Sequence, residues 1–326
     1  MTEKQIATIA QWIDAGMEKG DLRKVKTPNF VNGSLLNTKP DLILKLNQPF
    51  NIPQTNQEGF YFFSLPINLP ENKLIKAVEF RPGNKKLVHH SRISIDTTQK
   101  MRVVDAKSLD DPSIQYLGGV RMMEDFWYGW VPGNNPFIFP KKTAKFLPKN
   151  SDLLVNIHYA PNTLPETDQS TVNLFFAKDT IEREVKTFIL AEDAISNPPF
   201  ELQPNETKTF YARSQPIPYD ISMISVEPHL HKLGKTVRSF AISPFGEVIP
   251  FVKINDWDFN FQETYQFKNF VKVPKGSIIF AEATYDNTLQ NPQNPFRPAQ
   301  KITYGWNTTS EMMNIIFQFV IFQEGD

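Results

Sequence analysis

The chain contains no cysteine, which excludes a disulfide framework and any thiolate metal ligand. It carries no net charge, because 35 Lys and Arg offset 35 Asp and Glu. Without a basic excess or stripe, no nucleic-acid partner is expected. No apolar run reaches the ~18 residues that a membrane-spanning helix needs. The longest, Ile315 to Phe322, is interrupted by Gln318 and reads as a buried strand. No secretory signal pattern opens the chain. Histidine is scarce too: the five present are the whole stock of imidazole, and they fall into three short clusters.

What is present points to a β protein. A length of 326 residues favours two domains, each able to bury its own core. Short aromatic or β-branched runs recur, such as Gly59-Phe60-Tyr61-Phe62-Phe63, Leu153 to Tyr159 and Ser277 to Ala283. Pro, Asn and Gly clusters separate them, and the 26 prolines spread along the chain argue against long helices. The fold class expected is all-β: two tandem antiparallel β-sandwich (jelly-roll) domains with a short N-terminal helix. The divisions expected are 1–25 for the helix, 26–182 for the first sandwich and 183–326 for the second. The last boundary falls near the charged stretch Asp179–Glu184, with Thr187 to Leu190 opening the second unit. Ile6, Ile9, Ala10, Ile13 and Met17 recur at three- and four-residue steps, which predicts a helix over residues 3–19 that Gly20 caps. The segment 287–298, rich in Asn, Gln and Pro, reads as a loop placed to rim a site.

The histidine clusters carry the chemistry. In His229-Leu230-His231, alternate side chains of a strand share a face, so the two imidazoles can converge on one ion. Pro228 before them removes a ladder donor, which fits a strand end or edge. His89-His90 is physically awkward, because adjacent strand residues point to opposite faces. Both can ligate one ion only at a bend or bulge; otherwise one ring is buried and the other exposed after the Pro82-Gly83-Asn84 turn. His158 continues the alternation of Val155-Asn156-Ile157 and on its own reads as an ordinary strand residue. Met312 and Met313 stand between a polar run and an apolar strand, either as core filler or as a strand-end thioether ligand. Imidazole with thioether points toward copper, since soft sulfur suits Cu(I).

Taken together and in this order, the clusters resemble the copper type II, ascorbate-dependent monooxygenases, the family of the peptide-amidating monooxygenase and dopamine β-monooxygenase. The resemblance runs from about residue 85 to residue 315. His89-His90 and His158 in Ile-His-Tyr resemble the three ligands of that family's electron-transfer copper. Pro228-His229-Leu230-His231-Lys232-Leu233-Gly234-Lys235 resembles the H-x-H-x-x-G-[KR] stretch of the oxygen-binding copper. Ser310-Glu311-Met312-Met313-Asn314 resembles the family's D-E-M-C-N stretch, which places the thioether ligand at Met312. The resemblance implies two coppers per chain, dioxygen as co-substrate and C–H hydroxylation of a small molecule. It implies His229, His231 and Met312 as the catalytic copper ligands, and ascorbate or a c-type cytochrome as electron donor. It also implies a periplasmic or extracellular location.

Departures from the family pattern narrow this. Where the peptide-amidating enzyme holds a substrate carboxylate with arginine, this chain has Glu227; where a tyrosine follows the methionine ligand, it has Ile316. Both weigh against a C-terminal glycine peptide as substrate. The missing disulfides are similar to a bacterial branch, to which Asp256 to Gln262 and Tyr285 to Pro295 also show likeness. Residues 9–16 resemble the last helix of a c-type cytochrome, which implies a haem domain upstream of this chain. Three alternatives remain open at this point: a non-catalytic copper or electron-transfer protein, a three-histidine zinc hydrolase, and a carbohydrate-binding face at Trp127-Tyr128-Gly129-Trp130.

Overall fold

A computed structural model of the chain describes residues 2–21, 34–116 and 126–326. The expected boundary at residues 25 and 26 lies outside the described residues. The chain divides into two compact units, Met1–Lys39 and Pro40–Asp326.

In the first unit, Glu3–Asp14 is helical. The Thr2 side chain accepts from Gln5 N–H while the Gln5 side chain accepts from Thr2 N–H, a reciprocal cap that satisfies two otherwise orphaned donors. The helix stops five residues short of the expected end. Gly16 and Met17 take positive φ, and their N–H groups, with that of Ala15, close onto the carbonyls of Ile13, Trp12 and Gln11. The chain therefore turns at Gly16, ahead of Gly20. The apolar face of this helix is exposed.

The second unit is built almost wholly of strands. One sheet runs in the order Leu42–Lys45, Thr171–Phe176, Lys73–Arg81, Thr143–Leu147 and Arg183–Glu184. A second runs Lys107–Ser108, Gly59–Pro66, Asp152–Tyr159, Val88–Asp96 and Phe126–Trp130. Side chains of both enclose one core, with Phe80, Ile75, Leu174, Ile93, Val155 and Trp127 at its centre. A third sheet runs Lys186–Leu190, Asn314–Ile321, Ile221–His229 and Tyr265–Val273, and a fourth runs Thr207–Arg213, Ile278–Asp286, Gly234–Ile242 and Val248–Ile254. These two enclose a second core around Phe210, Phe317, Tyr285 and Met223. The charged stretch near residue 183 is partly strand, because Arg183–Glu184 pairs in parallel with Thr143–Leu147.

Burial along the strands shows where the two halves meet. Ile278–Asp286 alternates buried and half-buried residues, as a sheet with one wet face does. Asp152–Tyr159, Phe126–Trp130 and Ile221–His229 are buried at every position, so both of their faces are covered. The two faces of Asp152–Tyr159 differ in character. Leu153, Val155, Ile157 and Tyr159 enter the first core, while Asp152, Asn156 and His158 alternate with them. A bulge at Ile224 sends that side chain into the first core while Met223 and Val226 stay in the second. Across this seam Gln318 Nε2 donates to the Trp127 carbonyl at 2.8 Å and Thr187 donates to the Phe126 carbonyl at 2.7 Å. The strand Phe126–Trp130 is buried throughout, and it offers no exposed aromatic face for a carbohydrate. No helix among the described residues is long and apolar enough to cross a membrane.

Candidate metal centre

The first cluster forms because a strand is out of step. His158 pairs with His90, but its neighbour Tyr159 pairs with Val88, which leaves His89 as the extra residue of a bulge. The bulge lets His89 turn to the same side as His90, which a regular strand forbids. One ligand atom from each of His89, His90 and His158 lies within 4.8 Å of the others. The Nδ1 of His90 is 3.2 Å from that of His89 and 3.3 Å from that of His158. Metal–imidazole bonds of about 2.0–2.1 Å at tetrahedral angles place donor nitrogens about 3.3–3.4 Å apart. A neutral ring nitrogen carries one proton or one lone pair, so a single cation among the three suits this spacing better than hydrogen bonds among themselves.

The rings are also in the right state. Burial, reinforced by the other histidines, pushes His89 down to about 4 and His90 well below the usual histidine range. Their lone pairs are therefore free at neutral pH. His158 Nε2 lies 3.0 Å from Glu58 Oε2. A carboxylate only accepts, so the proton sits on Nε2 and Nδ1 is left as the donor atom. Phe60 stacks on the His158 ring at 4.1 Å and 10°, and Phe259 stacks on His89 at 5.5 Å and 18°.

The second cluster stands where Ile221–His229 loses one neighbour. Tyr265–Val273 pairs only as far as Val226, so Pro228 and His229 are paired with Asn314–Ile321 alone. The chain then turns, and the ring centroids of His229 and His231 lie 5.3 Å apart, nearly perpendicular. Burial drives His229 well below the usual range and His231 down to about 4. His231 Nδ1 is 3.0 Å from the Ser310 carbonyl, which can only accept, so Nε2 is its free donor. Glu311, fully buried, accepts from the N–H groups of His231, Leu233 and Met312 and so clamps the turn to the methionine segment. Burial pushes its carboxyl up to about 8 against those three donors. Tyr285 donates to the Met312 carbonyl at 2.7 Å, and Asn314 Nδ2 lies 3.5 Å from the Met312 sulfur.

The two methionines part company. Met312 lines a cavity together with His90, His229, His231, Arg92, Asn156, Phe60 and Trp306. Met313 lies in the second core. The cavity holds about 10 Å³, room for about one water. His90 and His229 approach to 6.2 Å between ring centroids, so the two clusters share one buried region. The imidazole and thioether donors there suit copper.

Several residues of this region have no role that the sequence assigns, although Phe259 and Gln262 fall in the stretch 256–262 noted for its likeness to the bacterial branch. Glu58 is 100 residues from the ring it holds; Arg92 follows His90 by two residues on the same strand, and Phe259, Gln262 and Trp306 come from connections outside the strands. The segment 287–298 does not line the cavity. Its buried Asn287, Asn291 and Asn294 bond within the loop and to its flanks, with Asn291 accepting from Lys235.

Residues 201–320 match a family model described as copper type II ascorbate-dependent monooxygenase, C-terminal domain. No curated protein matches the chain. Among solved structures, the major capsid protein P2 of bacteriophage PM2 is similar at 11% identity and a TM-score of 0.34, covering 87% of this chain and 98% of that one. The VP2 subviral particle of infectious bursal disease virus is similar at 9% identity and a TM-score of 0.21, covering 87% and 72%. Likenesses this slight bear on neither fold nor function.

Proposed function

Starting from a chain whose residues 201–320 belong to the copper type II ascorbate-dependent monooxygenases, we propose a dicopper enzyme that hydroxylates a C–H bond of a small molecule. Its two tandem jelly-roll sandwiches, 26–182 and 183–326, each carry one ligand set: His89, His90 and His158 in the first, and His229, His231 and Met312 in the second. The reaction consumes substrate, dioxygen, two electrons and two protons, and yields the alcohol and water. The electrons come from ascorbate or a c-type cytochrome, in a periplasmic or extracellular setting. Copper held by these residues would supply one-electron redox chemistry and a site for dioxygen at the second set.

The residues of the chain set the conditions for that chemistry. Burial keeps the imidazoles neutral, so binding a cation displaces no proton from His89, His90, His229 or His231 at neutral pH. Glu58 and the Ser310 carbonyl hold the outer protons of His158 and His231, fixing which nitrogen faces inward. Phe60, Phe259 and Trp306 exclude water around the rings. Met312 adds a sulfur that favours the reduced ion.

The observation that carries this reading is that all five histidines and Met312 gather in one buried region, drawn from positions up to 223 residues apart (312 − 89 = 223). The test is copper per chain after loading under reducing conditions, for wild type and His229→Ala. Two coppers falling to about one, with oxygen uptake in the wild type, supports two sites and an oxygenase. One copper without oxygen uptake leaves a carrier, and zinc uptake in place of copper leaves a hydrolase.

A further inference from the structure

Glu58 touches both halves of the site. Its Oε2 is 3.0 Å from His158 Nε2, and its Oε1 accepts from Thr308 N–H at 2.8 Å and Thr308 Oγ at 2.6 Å. Thr308 is buried at 3% exposure. It lies two residues before Ser310, whose carbonyl holds His231, and four before Met312. The segment is pinned at its far end, where Gly305 N–H donates to the Glu311 carbonyl and Glu311 N–H to that of Thr303. One carboxylate therefore bridges a ligand of the first cluster and the segment that carries one ligand of the second, Met312, and holds another, His231, through the Ser310 carbonyl. Its outer side borders a cavity of about 140 Å³, also lined by Asn307 and Tyr61, so a changed side chain here has room.

We infer that Glu58 is a positioning residue that couples the two ligand sets: it turns the donor nitrogen of His158 inward and ties that ring to the segment leading to Met312. The inference rests on the dicopper reading above. It makes occupation of one set felt at the other, because locking His158 also locks Thr308. Glu58 is not itself placed to bind the ion, since its carboxylate faces the outer nitrogen of the His158 ring.

The experiment compares wild type, Glu58→Gln, Glu58→Ala and Thr308→Val. Cu(I) affinity at each set is measured by chelator competition, with hydrogen exchange across residues 303–312 and ¹⁵N spectra of His158 in the metal-free protein. Loss of an outer-nitrogen partner lowers metal affinity about 10- to 100-fold. That drop is expected at the histidine trio in both Glu58 variants. Glu58→Ala speeds exchange of the Thr308 amide about tenfold, as loss of one hydrogen bond does. It also weakens the Met312 set. Thr308→Val spares the trio while loosening residues 303–312. The inference falls if Glu58→Ala leaves both affinities within about twofold of wild type, or weakens the trio while exchange across the segment and affinity at the Met312 set stay unchanged. If wild type takes no copper, the dicopper reading fails by itself, and the spectra then decide for Glu58. A His158 proton on Nε2 that is lost in Glu58→Ala sustains the positioning role, and a proton on Nδ1 overturns it.

Discussion

Gly129 gives a direct test of how tightly the two halves are fitted behind the second ligand set. A Cβ built on it would stand 2.5 Å from Glu227 Oε1, 3.1 Å from Cδ and 3.2 Å from Oε2. Carbon–oxygen contacts ordinarily begin near ~3.3 Å, so Gly129→Ala requires the carboxylate to retreat by ~0.8 Å. It has little freedom to do so. Glu227 is buried, belongs to a strand buried at every position, and accepts a hydrogen bond from Thr264. Overpacking of this kind costs about 1–3 kcal/mol, and breaking the Thr264 bond adds about 1 kcal/mol. The expected loss is thus about 2–4 kcal/mol, a fall of about 1 M in urea midpoint at a slope near 3 kcal/mol/M. The assay is urea unfolding of wild type, Gly129→Ala, Glu227→Ala and the double variant. With the carboxylate gone the new methyl has space, so Gly129→Ala in the Glu227→Ala background should cost under about 0.5 kcal/mol, a coupling of at least about 1.5 kcal/mol. Equal costs in the two backgrounds, or no cost in the wild type, would refute the fit inferred between Phe126–Trp130 and Ile221–His229.

Other expectations follow from the same geometry. Met312→Leu should remove Cu(I) from the second set and leave the trio filled, whereas Met313→Leu, a core exchange of similar volume, should keep both coppers and cost under about 1.5 kcal/mol; the reverse pattern would reassign the thioether. The metal-free protein should lose stability in acid. His231 titrates at about 4 when folded against 6.5 when free, so the unfolded chain binds more protons and stability falls as pH drops from about 6.5 to about 4. At 1.36 kcal/mol per pKa unit that is about 3 kcal/mol for this ring alone. A melting temperature that stays flat from pH 7 to 4.5 without metal would contradict this burial-driven shift. Deleting His89, which removes the bulge residue, should abolish copper at the trio even though two of its histidines remain. His89→Ala should weaken the same site by less, and copper counting separates the two.

The all-β character was legible because it rests on short-range pattern, and so were the histidine clusters that the fold gathers. The period of two suggested that His229 and His231 share a face, but the strand ends at His229 and it is the turn after it that brings the two rings together. The end of the N-terminal helix was misplaced because Gly16 and Gly20 are equally plausible caps in sequence, and only the backbone shows that positive φ begins at Gly16. How His89 and His90 face one way could not be read from residues 80–100. The bulge is a relation between Val88–Asp96 and Asp152–Tyr159, set by which residue of each strand meets which. Glu58 was invisible for a like reason, since its partners lie 100 and 250 residues away and no local motif marks it. The loop 287–298 reads as a rim from composition, yet its asparagines turn inward and donate to the carbonyls of its flanks, Asp286 and Gln300.

The extra residue at His89 turns the site into a matter of counting. Before the bulge one set of positions along the strand faces inward, and after it the other set does. The three imidazoles meet only because the phase changes between Val88 and His90. Substitutions nearby that respect size can be absorbed one at a time. A single inserted or deleted residue anywhere between the bulge and the next turn would reverse the phase of everything beyond it, exchanging Ile93 of the core with its polar neighbours. The strand can therefore vary its letters more readily than its length, since a one-residue gap there would separate the three imidazoles that the bulge brings together.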